Sequence, residues 1–176
     1  MRTNQFSRLL TTFATATVLN VARPATAAEG ARSLEMPAAT RRVVVSIPDR
    51  KLALLENDQV VGIYPVSVGA SVSPSPVGTF TIVNRVSNPT YYKPGKIVGP
   101  GRANPIGTRW IGLSAKGYGI HGTDAPASIG FAKSHGCIRL RNQDVEQLFA
   151  RVRSGDVVEL HAERTPEIAQ LFGDVR

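Results

Sequence analysis

Between residues 42 and 68 the chain is a succession of short β-branched runs separated by turn formers, a rhythm that commits it to building sheet. Residues 42–47 and 52–56 are apolar segments joined through Pro48-Asp49-Arg50. Asn57-Asp58 then turns the chain into residues 59–68, where Pro65 predicts an edge position or a bulge. The pattern is a meander. Residues 79–83, 110–113 and 118–121 read as further strands, and 156–161 (DVVELH) as a last one. Helical spacing shows at Val145, Leu148, Phe149 and Val152, with Asn142 as the N-cap and Ser154-Gly155 as the stop. The expected architecture is mostly β with one packed helix, followed by a C-terminal tail, residues 163–176, that forms a short, poorly tied helix.

The N-terminus has a different character. Arg2 and Arg8, a modestly apolar run at 9–22 and the small residues Ala25-Thr26-Ala27 lay out a secretory signal over residues 1–27; a disordered tail is the other reading of the same stretch. A spanning helix needs about 20 apolar residues, and Asn20 and Arg23 interrupt this run, so no stable membrane span is expected. Residues 28–40 read as a flexible lead-in and 41–162 as one domain, which suits a 176-residue chain. Removing 1–27 takes away Arg2, Arg8 and Arg23 and lowers the formal charge of +8 by three, so the exported domain stays basic. Its basic residues are scattered and carry no nucleic-acid motif, which excludes nucleic acid as the expected partner.

Residues 88–109 hold Pro89, Pro94, Gly95, Gly99, Pro100, Gly101, Pro105 and Gly107 with no helical or strand period. So long an irregular segment inside a compact domain reads as a lid or binding loop. Large aromatics stand in it and beside it: Tyr91, Tyr92 and Trp110 either line a cleft or fill core beneath the loop.

The chemistry is concentrated in residues 120–140, IHGTDAPASIGFAKSHGCIRL, which contain the only cysteine, Cys137, and two of the three histidines, His121 and His135. A lone cysteine in an exported chain has no internal disulfide partner and is exposed to oxidation, so a use for its thiol is expected. The thiolate is the nucleophile, and with a free pKa near ~8.5 it needs a base or a positive partner at neutral pH. Either histidine can supply that. Gly122 and Gly136 allow sharp turns and close backbone approach, so amide N–H groups can point at a developing oxyanion. His161, at the end of the last strand, reads as a surface residue.

IHGT followed by SHGCIRL resembles the catalytic signature of the L,D-transpeptidases, the YkuD-like family, and PSPVGTFTI and NPIGTRWIGL upstream are similar to family sequence, so that the resemblance covers roughly residues 42–161. It implies a bent mixed β-sheet or sandwich, and a cysteine acyl-enzyme acting on peptidoglycan stem peptides, with no cofactor and no metal. It also implies roles. Cys137 is the nucleophile, His121 its base, the Gly122 carbonyl the group that orients the imidazole, and His135 and Gly136 contribute oxyanion donors with Cys137. Arg139, Ser134, Tyr92 and Trp110 are the expected substrate contacts. Arg139 suits carboxylates, with an ion pair to Asp144 as the competing use, and the Ser134 hydroxyl can instead hold the local turn. Products remain open between a 3→3 cross-link, attachment of a lipoprotein and hydrolysis by water. Two other classes stay in view: a zinc site on His121, His135 and Cys137, and a non-catalytic wall-binding module. The expected location is the periplasm or cell wall.

Overall fold

The computed structural model describes residues 40–173. The signal segment expected at 1–27 and nearly all of the lead-in at 28–40 lie outside them. In chain order the strands are β1 (Arg41–Ser46), β2 (Lys51–Glu56), β3 (Gln59–Pro65), β4 (Val68–Gly69), β5 (Gly78–Ser87), β6 (Tyr91–Lys93), β7 (Lys96–Val98), β8 (Arg109–Leu113), β9 (Gly119–His121), β10 (Ala132–Ser134) and β11 (Ile138–Arg139). Helix α1 (Asn142–Arg151), β12 (Val157–His161) and α2 (Pro166–Phe172) complete the fold.

Eight strands form one mixed sheet in the order β11-β9-β8-β5-β12-β1-β2-β3. The pairs β1–β12 and β9–β11 are parallel, and the other neighbours run antiparallel. β5 joins the two halves: its first residues pair with β12, its last with β8, and a register shift between Ile82 and Asn84 lets it bend from one half into the other. The sheet therefore curls around a core that draws on both halves, including Val43, Leu54, Ile82, Ile111, Ile120, Ile138 and Val158. α1 closes this core with Val145 and Leu148, and packs against β8 and β9.

β1 explains a second layer. Its RRVVVS sequence buries four successive residues, so both faces of the strand are covered, where a half-exposed strand would alternate. Val43 and Val45 face the main core, whereas Val44 joins Ala53, Leu55, Ile168 and Phe172 in a separate cluster beneath α2. The C-terminal segment expected to be loosely tied is docked. Thr165 caps α2 by accepting from the Ile168 N–H, Lys51 Nζ donates to the Phe172 carbonyl, and Arg164 pairs with Asp49 at 2.9 Å.

A second difference lies in residues 88–109. The stretch expected to be irregular contains a small hairpin, β6–β7, turned at Pro94-Gly95. Three-residue strands are too short to show a period. Asn104, fully buried, holds the hairpin's base by donating Nδ2 hydrogens to the carbonyls of Pro89, Val98 and Gly99 while Oδ1 accepts from the Ile106 N–H. Among the described residues no helix is long and apolar enough to cross a membrane.

Because Phe172 is 6% exposed, Phe172→Ala should destabilise the protein by about 3 kcal/mol through lost burial and the cavity left behind. Urea denaturation followed by far-UV dichroism checks this; a change below about 0.5 kcal/mol, the scale of a neutral surface substitution, would mean that α2 is held loosely.

Candidate active site

Strand alternation sorts the chemistry onto one face of the sheet. Trp110 on β8 is paired with His121 on β9, and His121 with Arg139 on β11; Val86 on β5 lies opposite Trp110 on its other side. Side chains alternate along a strand, so these four form a row facing away from Ile111, Ile120 and Ile138, which point into the core. One step along, Gly112 is paired with Gly119, and continuing the β9–β11 register places Cys137 beside Gly119. Sixteen residues of chain thus separate Cys137 from His121, yet both open onto the same face.

That face is the floor of a cavity of about 850 Å³ lined by His121, His135, Cys137, Arg139 and Trp110, with Tyr91 and Tyr92 of the β6–β7 hairpin on one wall. His135 is exposed within it, and Tyr92 is 72% exposed. Trp110 has a second contact: its indole stacks on the His121 imidazole with centroids 5.7 Å apart and planes 20° from parallel. Its Nε1–H donates to Asn84 Oδ1 at 3.1 Å. The ring lies where side chains at Gly112 and Gly119 would be, since a Cβ at 119 would fall 2.7 Å from the indole and one at 112 only 3.0 Å from Nε1.

His121 is buried, and its Nδ1 lies 2.5 Å from the Gly122 carbonyl oxygen. A carbonyl can only accept, so in the neutral ring Nδ1 carries the proton and Nε2 is left as the bare, basic nitrogen. Burial pushes the His121 pKa down to about 4; the Gly122 bond opposes this, and the Arg139 guanidinium adds to it. Burial also pushes the Cys137 thiol up, against the lowering effects of the Gly119 N–H and Arg139. At neutral pH the resting pair is therefore thiol and neutral imidazole. The thiol contacts the Gly117 carbonyl at 3.8 Å.

Ser134 stands apart from its expected place against substrate. It is buried under the turn that leads into Cys137, where its hydroxyl donates to the Cys137 carbonyl at 2.5 Å and accepts from the Gly136 N–H at 3.1 Å. The same bond engages the Gly136 N–H, so this amide is turned away from the oxyanion role expected of it. Gly136 serves the turn in another way. Its φ of +104° is strained for any L side chain, and a Cβ would also meet the Tyr118 ring at 2.6 Å. Arg139, at the cavity floor, has no ion pair among the described residues. Among the described residues its Nε is buried without a hydrogen-bond partner, while Asp144 pairs with Arg141 at 3.8 Å. Among the described residues no three His, Cys, Asp or Glu side chains are grouped as metal ligands.

Residues 40–160 match the YkuD family, described as the L,D-transpeptidase catalytic domain. The chain belongs to this family. It is 42% identical over 119 residues to a Bacillus licheniformis protein named as an L,D-transpeptidase, YkuD, with 68% of this chain and 64% of the relative covered. The Bacillus subtilis protein of the same name is 40% identical over 119 residues, covering 68% and 65%. The chain thus spans just under two thirds of these relatives. Among solved structures, an L,D-transpeptidase from Mycobacterium tuberculosis shares the fold with a TM-score of 0.61 at 21% identity, covering 70% of this chain and 58% of that one. L,D-transpeptidase 3 from the same organism, in complex with a faropenem-derived adduct, has a TM-score of 0.59 at 23% identity, covering 71% and 61%.

Within this L,D-transpeptidase domain, sequence reading missed residues that act through backbone or through other side chains. Asn142, expected as an N-cap, is the first residue of α1; the cap position is Arg141, and the Asn142 amide reaches back to the loop after His121. Asn84 was hidden among ordinary strand residues. Gly112 and Gly119 did leave a signal, since a glycine inside a strand marks a close approach.

The raised thiol has a direct test. Alkylation of Cys137 by iodoacetamide, followed by mass spectrometry between about pH 6 and 10, should have its midpoint above the free-thiol value of about 8.5, because the thiolate is the reacting form. A midpoint near 6 would instead reveal a preformed thiolate–imidazolium pair and contradict the neutral resting state.

Proposed function

We propose that this domain is a cysteine-dependent peptidoglycan L,D-transpeptidase that forms 3→3 cross-links through a thioester. The observation that carries the reading is the convergence of Cys137 and of a neutral His121, held through Nδ1, on one cavity floor beside an unpaired Arg139. Cys137 Sγ attacks the carbonyl carbon of the diamino acid at position three of a tetrapeptide stem as His121 Nε2 takes the thiol proton. With the Gly136 amide engaged by Ser134, the oxyanion role falls to the main-chain N–H groups of His135 and Cys137. The tetrahedral intermediate collapses, His121 returns the proton to the departing amine, and D-alanine leaves behind a thioester. A side-chain amine of a second stem then attacks the thioester and displaces the thiol.

Several features support this substrate class. Arg139 gives a free carboxylate of the stem a charged donor at the cavity floor, and Tyr91, Tyr92 and Trp110 give the stem apolar walls. The first 27 residues read as a secretory signal, which would deliver the domain to the periplasm or cell wall where stems occur. A lipoprotein amine in place of the stem amine would make the same chemistry an anchoring reaction, and water would make it an L,D-carboxypeptidase.

Incubation of the protein, residues 28–176, with purified disaccharide tetrapeptide, followed by mass spectrometry, tests the reading. A dimer lighter than two donors by one D-alanine is expected, together with its loss in Cys137→Ala. Tripeptide alone would assign the carboxypeptidase activity. Unchanged donor with no thioester on Cys137 would leave a binding module.

A further inference from the structure

The peptide plane between Gly122 and Thr123 is held from both sides. Its carbonyl bonds His121 Nδ1 at 2.5 Å, and its N–H donates to Asn142 Oδ1 at 3.1 Å. A trans peptide keeps C=O and N–H rigidly opposed, so fixing one end aims the other. Asn142 makes two more backbone contacts. Oδ1 also accepts from the Thr108 N–H at 3.2 Å, at the foot of the cleft-wall segment, and Nδ2 donates to the Thr123 carbonyl at 3.2 Å. One amide at the start of α1 therefore bonds three main-chain groups on two loops. Space for it is made by two glycines, because a Cβ at Gly107 or at Gly122 would lie 2.1 Å from Oδ1.

We propose that Asn142 is a positioning residue for the base, aiming the Gly122 carbonyl at His121 through the Gly122–Thr123 peptide and tying that peptide to the cleft wall at Thr108. The inference rests on His121 being the base that activates Cys137. Accepting from the Thr123 N–H polarises the peptide and makes its carbonyl a stronger acceptor. A stronger acceptor at Nδ1 keeps Nε2 free of the proton in the resting ring and stabilises the imidazolium once Nε2 has taken the thiol proton. The groups facing His121 are Arg139 and Cys137 from β11 and its turn, uncharged Trp110 from β8, and His135 across the cavity. An asparagine meets the need for acceptor and donor at once. An aspartate in its place still accepts both N–H groups but meets the Thr123 carbonyl without a proton.

The test compares Asn142→Ala and Asn142→Asp with the unmodified protein, using nitrogen-15 NMR to titrate His121 and stopped-flow acylation by a β-lactam. Asn142→Ala should lower the acylation rate about ten- to a hundredfold, part of the 10²–10⁴ that a general base contributes, with its dependence on β-lactam concentration little changed. The His121 titration midpoint should fall with Asn142→Ala and rise with Asn142→Asp, and Asn142→Asp should keep most of the rate lost in the alanine variant. Opposed shifts are the result that a merely structural role would not give. Folded variants whose His121 midpoints both stay at the unmodified value would overturn the proposal, whether or not their rates fall. If Asn142→Ala does not fold, the direction of the Asn142→Asp shift decides alone. Should the unmodified protein fail to acylate, the reading of the activity fails, while the NMR titration still decides whether Asn142 acts on His121.

Discussion

A buried imidazole whose Nδ1 meets a carbonyl has only one basic nitrogen to offer, and the rest of this cleft is arranged around that constraint. The Gly122 carbonyl is a neutral acceptor, so it orients the ring without the charge that a carboxylate would bring. Without that charge the Gly122 bond offsets burial only in part, and the imidazole is pushed down to about 4. The same burial and the same Arg139 act on the thiol in opposite senses: desolvation raises it and the guanidinium lowers it. The outcome is a thiol and an imidazole that both carry no charge at rest.

That arrangement depends on the sheet more than on the loops. Pairing of β8, β9 and β11 aligns Trp110, His121 and Arg139 in a row, and a one-residue slip of any of these strands would turn its member of the row into the core. Register is held from both ends. Ile111, Ile120 and Ile138 must be buried on the opposite face, and main-chain bonds join Arg139 to Ser67 in both directions at 2.9 Å.

Much of this was legible in the sequence because the information is local. The β-branched runs, the two glycine-flanked histidines and the lone cysteine each declare themselves within a few residues. What stayed hidden depends on partners distant in the chain. Ser134 could be placed on the turn before Cys137, but its inward direction follows from bonds to Gly136 and Cys137 that only the folded turn provides. Asn142 has the composition of a helix cap, and a tie to Thr108 and Thr123 cannot be told from a cap by residue type. The docking of α2 was hinted at by the unbroken Val43-Val44-Val45 run, which demands cover on both faces; nothing local says which segment supplies it.

The stacking of Trp110 on His121 also gives the molecule an optical property. Trp110 is the chain's single tryptophan, so indole emission comes entirely from a ring in contact with the imidazole and at the wall of the cleft. An imidazolium quenches indole fluorescence more strongly than a neutral imidazole does, and any ligand in the cleft would replace water beside the indole. Proton arrival at His121 and occupancy of the cleft are both written into one native emission band, with no label attached.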